Sequence, residues 1–283
     1  MTRVDAAVEP RQAATIALVR DRAGHVEVFL VRRHARSGFM ANAYVFPGGR
    51  LDSADGAPAL LARLGADAAA VTARMEGIDH QAQARAHLVA AVRETYEEAG
   101  ILLATRASGE AVVPCKAWQD ALNAGERTFE SILVDEELVM NTDALAYFAH
   151  WVTPKFESRR YAARFFLAVA PANQEGRHDG RETTDSLWVA PDEALRRHAA
   201  GTLFLAPPQW QVLHDLAARA STSALLTWAR GLLRVTPIQP HRFDLDGTLA
   251  LALPGDPEHP ETPDDAEALL HRIVLREGTW HHA

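Results

Sequence analysis

Three glutamates hold the strongest chemical signal in this chain of 283 residues. Glu94, Glu97 and Glu98 fall at i, i+3 and i+4 within Arg93-Glu94-Thr95-Tyr96-Glu97-Glu98-Ala99-Gly100-Ile101. On a helix all three carboxylates therefore share one face. Three like charges repel one another there, and a position near the helix C-terminus adds the unfavourable end of the backbone dipole. Hard divalent cations neutralise such an arrangement, and clustered carboxylate oxygens suit Mg²⁺ or Mn²⁺. A bare Glu-x-x-Glu-Glu is more often a solvated acidic face. Its surroundings must decide.

The elements around the trio read as follows. Residues 82–99 contain neither Gly nor Pro, and Leu88, Ala91, Val92 and Tyr96 form an apolar stripe, so they predict a helix ended by Gly100. Ala13–Val19 and Val26–Val31 flank the turn Asp21-Arg22-Ala23-Gly24 and predict a hairpin. Tyr44-Val45-Phe46 is a short strand running into the turn Pro47-Gly48-Gly49. Residues 53–80 are alanine-rich and predict one or two helices outside the sheet. The stretch 118–138 looks helical, 145–152 and 161–170 look like strands, and 173–185 is a polar loop. A short strand at 186–190 leads to a helix at 191–198 with proline in its first turn, then to helical segments at 208–220 and 223–233. The prolines at 254–263 suggest an extension that runs from ordered to loose. Strands interleaved with helices predict an α/β or α+β sandwich.

Composition narrows the function. The net charge of −8 offers nothing global to attract polyanions, so neither nucleic acid nor an anionic membrane is expected as a partner. A polyanionic substrate would need metal ions or clustered arginines. The lone Cys115 excludes an intrachain disulfide. No apolar run reaches the ~18–20 residues of a membrane span and no signal-peptide core opens the chain, so a cytoplasmic location is expected. Among the histidines no His-Glu-x-x-His pattern occurs, and His281-His282 is expected to be disordered rather than ligating. Phe243-Asp244-Leu245-Asp246-Gly247-Thr248 spells the nucleophile motif of haloacid-dehalogenase-type phosphatases. Its place near the C-terminus leaves no room for that fold, and it reads as a turn between strands.

Arg93–Ile101 and the upstream Phe46-Pro47-Gly48-Gly49 match the two halves of the Nudix box, with Thr95 a mild departure in an apolar slot. The chain thus resembles the Nudix hydrolases. Gly49 and Arg93 stand 44 positions apart, so a long segment is inserted between halves that the usual box keeps close. The isolated Glu that normally precedes the Arg-Glu pair aligns with Arg85, and Asp52 or Asp55 could take its place beside Arg93. The stretch 39–49, the block His150-Trp151-Val152-Thr153-Pro154 with Glu157 and Arg159-Arg160, and His178-Asp179-Gly180 with Glu182 and Trp188 resemble one branch of that family. It carries an insertion in the box and contains peroxisomal coenzyme A diphosphatases; the likeness spans roughly residues 13–235. The arginine and glycine of the dedicated coenzyme A signature are not kept, since Gly38 and Asn42 occupy those offsets.

The resemblance implies an α/β fold, a Nudix-type α/β/α sandwich with a mixed sheet. The insertion at 53–80 and the helices at 208–233 belong to a single domain, 1–253, followed by an extension, 254–283. It implies metal-dependent cleavage of a diphosphate linkage in a coenzyme A-like or nucleoside diphosphate-linked small molecule. The rival reading is a Nudix-fold ligand-binding or regulatory module without turnover, which need not keep the glutamates. Glu97 and Glu98 would be the main ligands of Mg²⁺ or Mn²⁺, with Glu94 joining them or acting as a base. Arg93 would orient a carboxylate by bidentate pairing, and the Gly48–Gly49 turn would let backbone approach the bound ion and substrate. Glu182 reads either as the general base or as one more loop acid. Arg160 and Arg164, with Arg159, read either as a phosphate grip or as a surface salt-bridge face; as residues four apart they would share one side of a strand. The insert and the helices after Pro208 would shape either substrate access or the surface of a homodimer.

Overall fold

Residues 13–19 are buried at every position because their strand runs through the middle of a sheet covered on both faces. In the computed structural model, which describes residues 8–38, 40–78, 80–262 and 271–283, β1 (Arg11–Arg22) and β2 (His25–Arg33) form the expected hairpin. Phe39 of the upstream block and Pro263 of the proline-rich tail lie outside the described residues. After β2 come β3 (Tyr44–Val45) and β4 (Gly48–Arg50), then the inserted segment with the short helices α1 (Pro58–Leu61) and α2 (Ala68–Thr72). The long helix α3 (Gln81–Ala99) carries the glutamates, and Gly100 ends it in the left-handed conformation, φ 67°.

The predicted helical stretch 118–138 is in fact α4 (Lys116–Asn123) and α5 (Phe129–Asp135), parted by a turn in which Gly125 takes φ 74°. Before them lies β5 (Ala104–Arg106) and after them β6 (Leu138–Met140), paired as a two-stranded sheet. Then follow β7 (Ala146–Val152), β8 (Tyr161–Val169), β9 (Thr183–Val189), α6 (Pro191–Ala199), α7 (Pro207–Ala217), α8 (Thr222–Gly231) and β10 (Pro237–Ile238). The main sheet has eight strands with the central order β10-β7-β8-β1-β2-β3, while β4 pairs with β1 and β9 with β2. β1 runs parallel to β8 and antiparallel to β2, so the sheet is mixed as expected.

Strand alternation feeds two cores. Ile16, Leu18, Phe29, Val31 and Phe166 pack with Leu88, Val92 and Tyr96 of α3. The intervening Ala17, Val19, Val28, Leu30 and Phe165 pack with Leu213, Leu225 and Ala229 of the C-terminal helices. Helices on both faces of one mixed sheet make the α/β sandwich.

The end of the chain differs from expectation. The segment after Pro240 folds into a four-stranded sheet of β11 (His241–Leu245), β12 (Thr248–Ala252), β13 (Arg272–Arg276) and β14 (Thr279–His282). His281 and His282 are ordered within β14 rather than disordered. Two two-residue hairpins close it, with positive φ at Asp246-Gly247 and again at Glu277-Gly278, the twist that antiparallel strands require. Phe243–Thr248 is thus a hairpin, as the turn reading had it. The sheet straddles residues 253 and 254, because β13 pairs with β12. Buried Asp256 holds the crossing, accepting two bonds from Arg272 at 2.8 and 2.7 Å. The backbone N–H of Trp280 donates to His198 Nε2 at 2.9 Å, which docks this sheet onto α6.

Candidate active site

The C-terminal end of α3 is fixed from outside. Its last carbonyls have no intrahelical donor. Gln119 of α4 donates to the carbonyls of Tyr96 and Glu97 at 3.1 and 3.0 Å, and Asn123 donates to Glu97 O at 3.2 Å. The glutamates therefore project from a braced turn toward the Pro47-Gly48-Gly49 bend. Buried Glu98 accepts a bond from the Gly48 N–H at 3.0 Å. The Glu94 carboxylate lies against Gly49, where an added Cβ would come within 2.5 Å of it. At Gly48 a Cβ would stand 2.4 Å from the Ala14 carbonyl oxygen, so only glycine lets the bend lie this close to β1.

Arg93 is the organiser. Its Nε and Nη2 donate to the two oxygens of Asp55 at 2.8 and 3.0 Å, a bidentate pair. Its Nη1 reaches Glu94 and Glu97, each at 2.9 Å. Asp55 therefore fills the place left by the Arg85 substitution, and Asp52 serves only as the cap of the turn that presents it. Asp55 is wholly buried. Asp55→Ala removes the bidentate partner of the half-buried Arg93 and leaves it only Glu94 and Glu97 as acids, and the expected cost is about 3 kcal/mol. Urea unfolding checks this: a lowered midpoint is expected, and an unchanged midpoint would show that Arg93 is held by other means.

Burial dominates the electrostatics. It raises the Glu98 carboxyl well above its ordinary range, reinforced by the charge of Glu94 and only partly offset by the Gly48 N–H and Arg33. Burial likewise raises Glu94 against the opposing pull of Arg93, and it pushes Glu97 up to about 7. The guanidinium of Arg93 is itself penalised by burial, but Asp55, Glu94 and Glu97 overcome this and hold it more firmly charged than usual. Positive charge is thus in short supply around these carboxylates.

A cleft of about 750 Å³ opens in front of them. Glu182 lines it, and its charge raises the carboxyl pKa of both Glu94 and Glu98. The loop before β9 presents Glu182 through Asp179, whose oxygens accept from the Glu182 and Thr183 N–H groups at 3.0 and 2.9 Å. Among the described residues no three His, Cys, Asp or Glu side chains are already gathered into a ligand shell. Glu94 and Glu97 each lend one oxygen to Arg93 instead.

Arg160 and Arg164 are not brought to this cleft, contrary to the substrate-binding role expected of them. The side chains of β8 that line it are the odd-numbered Tyr161, Ala163 and Phe165. Arg164 shares a face with Phe166 instead, under α3. It donates to Gln12 Oε1 at 2.7 Å and Glu76 O at 2.9 Å. Arg160 spends its donors on Thr153 O, Val8 O and Gln239 Oε1 at 3.0, 2.6 and 2.9 Å. The cations that do line the cleft, besides Arg93, are Arg33, Arg50 and Arg242. Arg33 is the one beside Glu98 and keeps a buried Nε without a hydrogen-bond partner. Its parity with Phe29 and Val31 on β2 was the one available hint.

A family model described as the NUDT19 Nudix domain matches residues 79–216. The crystal structure of a NUDIX hydrolase from Alicyclobacillus acidocaldarius superposes with a TM-score of 0.66 at 28% identity, covering 82% of this chain and all of that one. With the box geometry above, the chain is similar to the Nudix hydrolases in motif and in fold. The chain is 29% identical to the acyl-coenzyme A diphosphatase NUDT19 of Homo sapiens, over 90% of this chain and 79% of the relative. To the NUDT19 of Xenopus laevis it is 26% identical, over 84% and 72%. These relatives and the long insertion between the two halves of the box make the chain similar to the diphosphatase branch of that family.

Proposed function

We propose that this enzyme hydrolyses the diphosphate linkage of coenzyme A or an acyl-coenzyme A, using divalent cations held by Glu94, Glu97 and Glu98. One observation carries the reading: three carboxylates crowd one helix end beside a glycine bend, Glu98 buried and Glu94 and Glu97 half-buried, and desolvation shifts all three toward neutrality. The donor set fits Mg²⁺ or Mn²⁺. It offers hard oxygen ligands only, and Glu94 and Glu97 each keep one oxygen without a hydrogen bond among the described residues. The relatives named acyl-coenzyme A diphosphatases support the substrate class.

Bound ions would polarise the phosphoryl oxygens and acidify the attacking water. The protein's own groups do the rest. Asp55 keeps Arg93 in place when Nη1 yields its two glutamate oxygens, so the trio can open without the helix end shifting. In this reading Glu182, which lines the same cleft, takes the proton of the attacking water. The Gly48–Gly49 bend leaves room for phosphate to meet backbone. Arg33 supplies a cation for the diphosphate with its Nε already desolvated. Arg33→Gln is expected to raise KM about tenfold with a smaller effect on kcat; steady-state rates check this, and an unchanged KM would remove Arg33 from the substrate.

The test of the reaction is a panel of coenzyme A, an acyl-coenzyme A, ADP-ribose, NADH and a diadenosine polyphosphate, each with Mg²⁺ or Mn²⁺. Release of adenosine 3′,5′-bisphosphate from the first two is the expected result. Turnover of none at high enzyme concentration would favour a module that binds such a ligand without cleaving it.

A further inference from the structure

Two walls of the catalytic cleft meet at one histidine. Trp280 lines the cleft from β14, and Ala206 and Pro207 line it at the start of α7. His198 of α6 stands behind both and is 1% exposed. Its Nε2 accepts the Trp280 N–H at 2.9 Å, and its Nδ1 lies 3.1 Å from Leu203 O. We infer that His198 is a positioning residue for this cleft: as a neutral ring it pins β14 to the segment 203–207, and protonation releases the pin. That substrate binds in the cleft rests on the diphosphatase reading above.

The tautomer follows from the partners. A backbone N–H only donates, so Nε2 carries no proton. The ring proton sits on Nδ1 and goes to Leu203 O, so Nδ1 cannot also accept the Leu205 N–H, 3.3 Å away. A second proton on Nε2 would face the Trp280 N–H, donor against donor, with both residues buried. The surroundings already resist that proton. Burial holds the ring below the ordinary histidine range, the Leu203 carbonyl pulls it partly back, and His281 of β14 pushes it lower. His214 of α7 is the other ionisable group that bears on it, and no acidic side chain pairs with the ring among the described residues.

The segment 203–207 matters because it reaches the glycine bend. The Tyr44 N–H donates to Phe204 O at 2.9 Å, and Leu205 bridges to Tyr44 on the strand that runs into Pro47-Gly48-Gly49. A second contact crosses the same seam. The rings of Trp210 and His214 on α7 and of His282 on β14 meet with centroids 4.3, 4.5 and 4.9 Å apart. Burial lowers the pKa of both histidines, with His282 adding to it for His214 and His271 for His282. Asp215, the acid of α7, accepts from Gln211 at 3.4 Å. Leu251, Leu253 and Ile273 keep the sheet on the core by apolar packing, so losing the pin loosens the Trp280 wall and does not unfold it. A released histidine takes up its proton near pH 6.5 and the held ring lower, so the pin weakens as pH falls below about 6.5.

Hydrogen exchange of peptides covering β14, corrected for the intrinsic pH dependence, tests the pin without turnover. From about pH 7 to about pH 5 their protection relative to β8 should fall about tenfold in wild type. His198→Gln keeps an acceptor for the Trp280 N–H and cannot be charged, so its ratio should stay within about twofold. Kinetics with coenzyme A read the consequence. Over the same range the wild-type KM should rise about fivefold relative to that of His198→Gln, with the ratio of kcat values within about twofold. Dividing one protein by the other cancels the titration of Glu97 and of the substrate. A wild-type protection ratio that ignores pH, or one that changes equally in His198→Gln, overturns the proposal, and so does a flat KM ratio in an enzyme that loses the protection. If no member of the substrate panel is cleaved, a pH-dependent ratio that His198→Gln abolishes still supports the pin, and only the reaction falls.

Discussion

Glu97→Gln is expected to lower kcat on the order of 10³-fold, while the melting temperature of the metal-free protein stays the same or rises. The side chain keeps its size and can still accept from Arg93, so packing is little altered. What disappears is a negative charge that burial and Glu94 already disfavour. Without a bound cation this charge is a liability, so removing it cannot cost much stability. With a cation it is a ligand, so removing it costs most of the rate. A variant that melts lower and keeps its activity would reverse both halves of the argument and make Glu97 a structural partner of Arg93. Rates with saturating Mg²⁺ and thermal melts followed by circular dichroism read the two halves separately.

The second large effect is the pH dependence of stability without metal. Glu97 has a folded-state pKa of about 7 and an unfolded one near 4.5. Below the lower value both states are protonated and the group contributes nothing. As pH rises through the window, the unfolded chain loses its proton first and is favoured, so folding stability falls until pH passes about 7. The loss is on the order of 2 kcal/mol after discounting for the part of Glu97 that water reaches. Raised Glu98 and Glu94 act in the same direction. Two buried histidines oppose it: burial and Arg164 hold His87 near 4 and His150 near 3. They stay neutral in the fold while the unfolded chain takes up protons, so they withdraw stability as pH falls below about 6.5. Measuring wild type and Glu97→Gln together cancels the histidines. The wild type is expected to lose stability relative to the variant between pH 4.5 and 7, and Mn²⁺ is expected to restore it at pH 7.5. A difference that does not change with pH would mean that Glu97 is not forced into a buried like-charge cluster.

Much of this site could be read from residue types alone. The i, i+3, i+4 spacing, the absence of helix breakers before Gly100 and the glycine pair at 48–49 each act within one or two turns of chain, where local rules hold. Asp55 could be named only as one of two loop acids, because its contact with Arg93 spans 38 positions. The arginines show the limit more sharply. Their spacing puts Arg160 and Arg164 on one side of a strand, but alternation does not say which side faces the cleft, and a shift of one residue reverses the answer. The same alternation on β2 carries Arg33 to the site, and a single strand-end arginine gives no signal by type alone. The C-terminal sheet was hidden by its prolines, which punctuate the connection between β12 and β13 rather than mark a loose tail. Asp246-Gly247 and Glu277-Gly278 were the hairpin signals that spoke for it. Its consequence for function is direct, since Arg242, Leu249, Leu251 and Trp280 close one side of the catalytic cleft.

Titration of Mn²⁺ into wild type, Glu97→Gln and Glu98→Gln, followed by the loss of the free-ion electron paramagnetic resonance signal, addresses the three glutamates most directly. Wild type should take up ions with an affinity that weakens at least tenfold in each variant. Uptake that is the same in all three proteins, or absent from wild type, would mean that these carboxylates hold only Arg93.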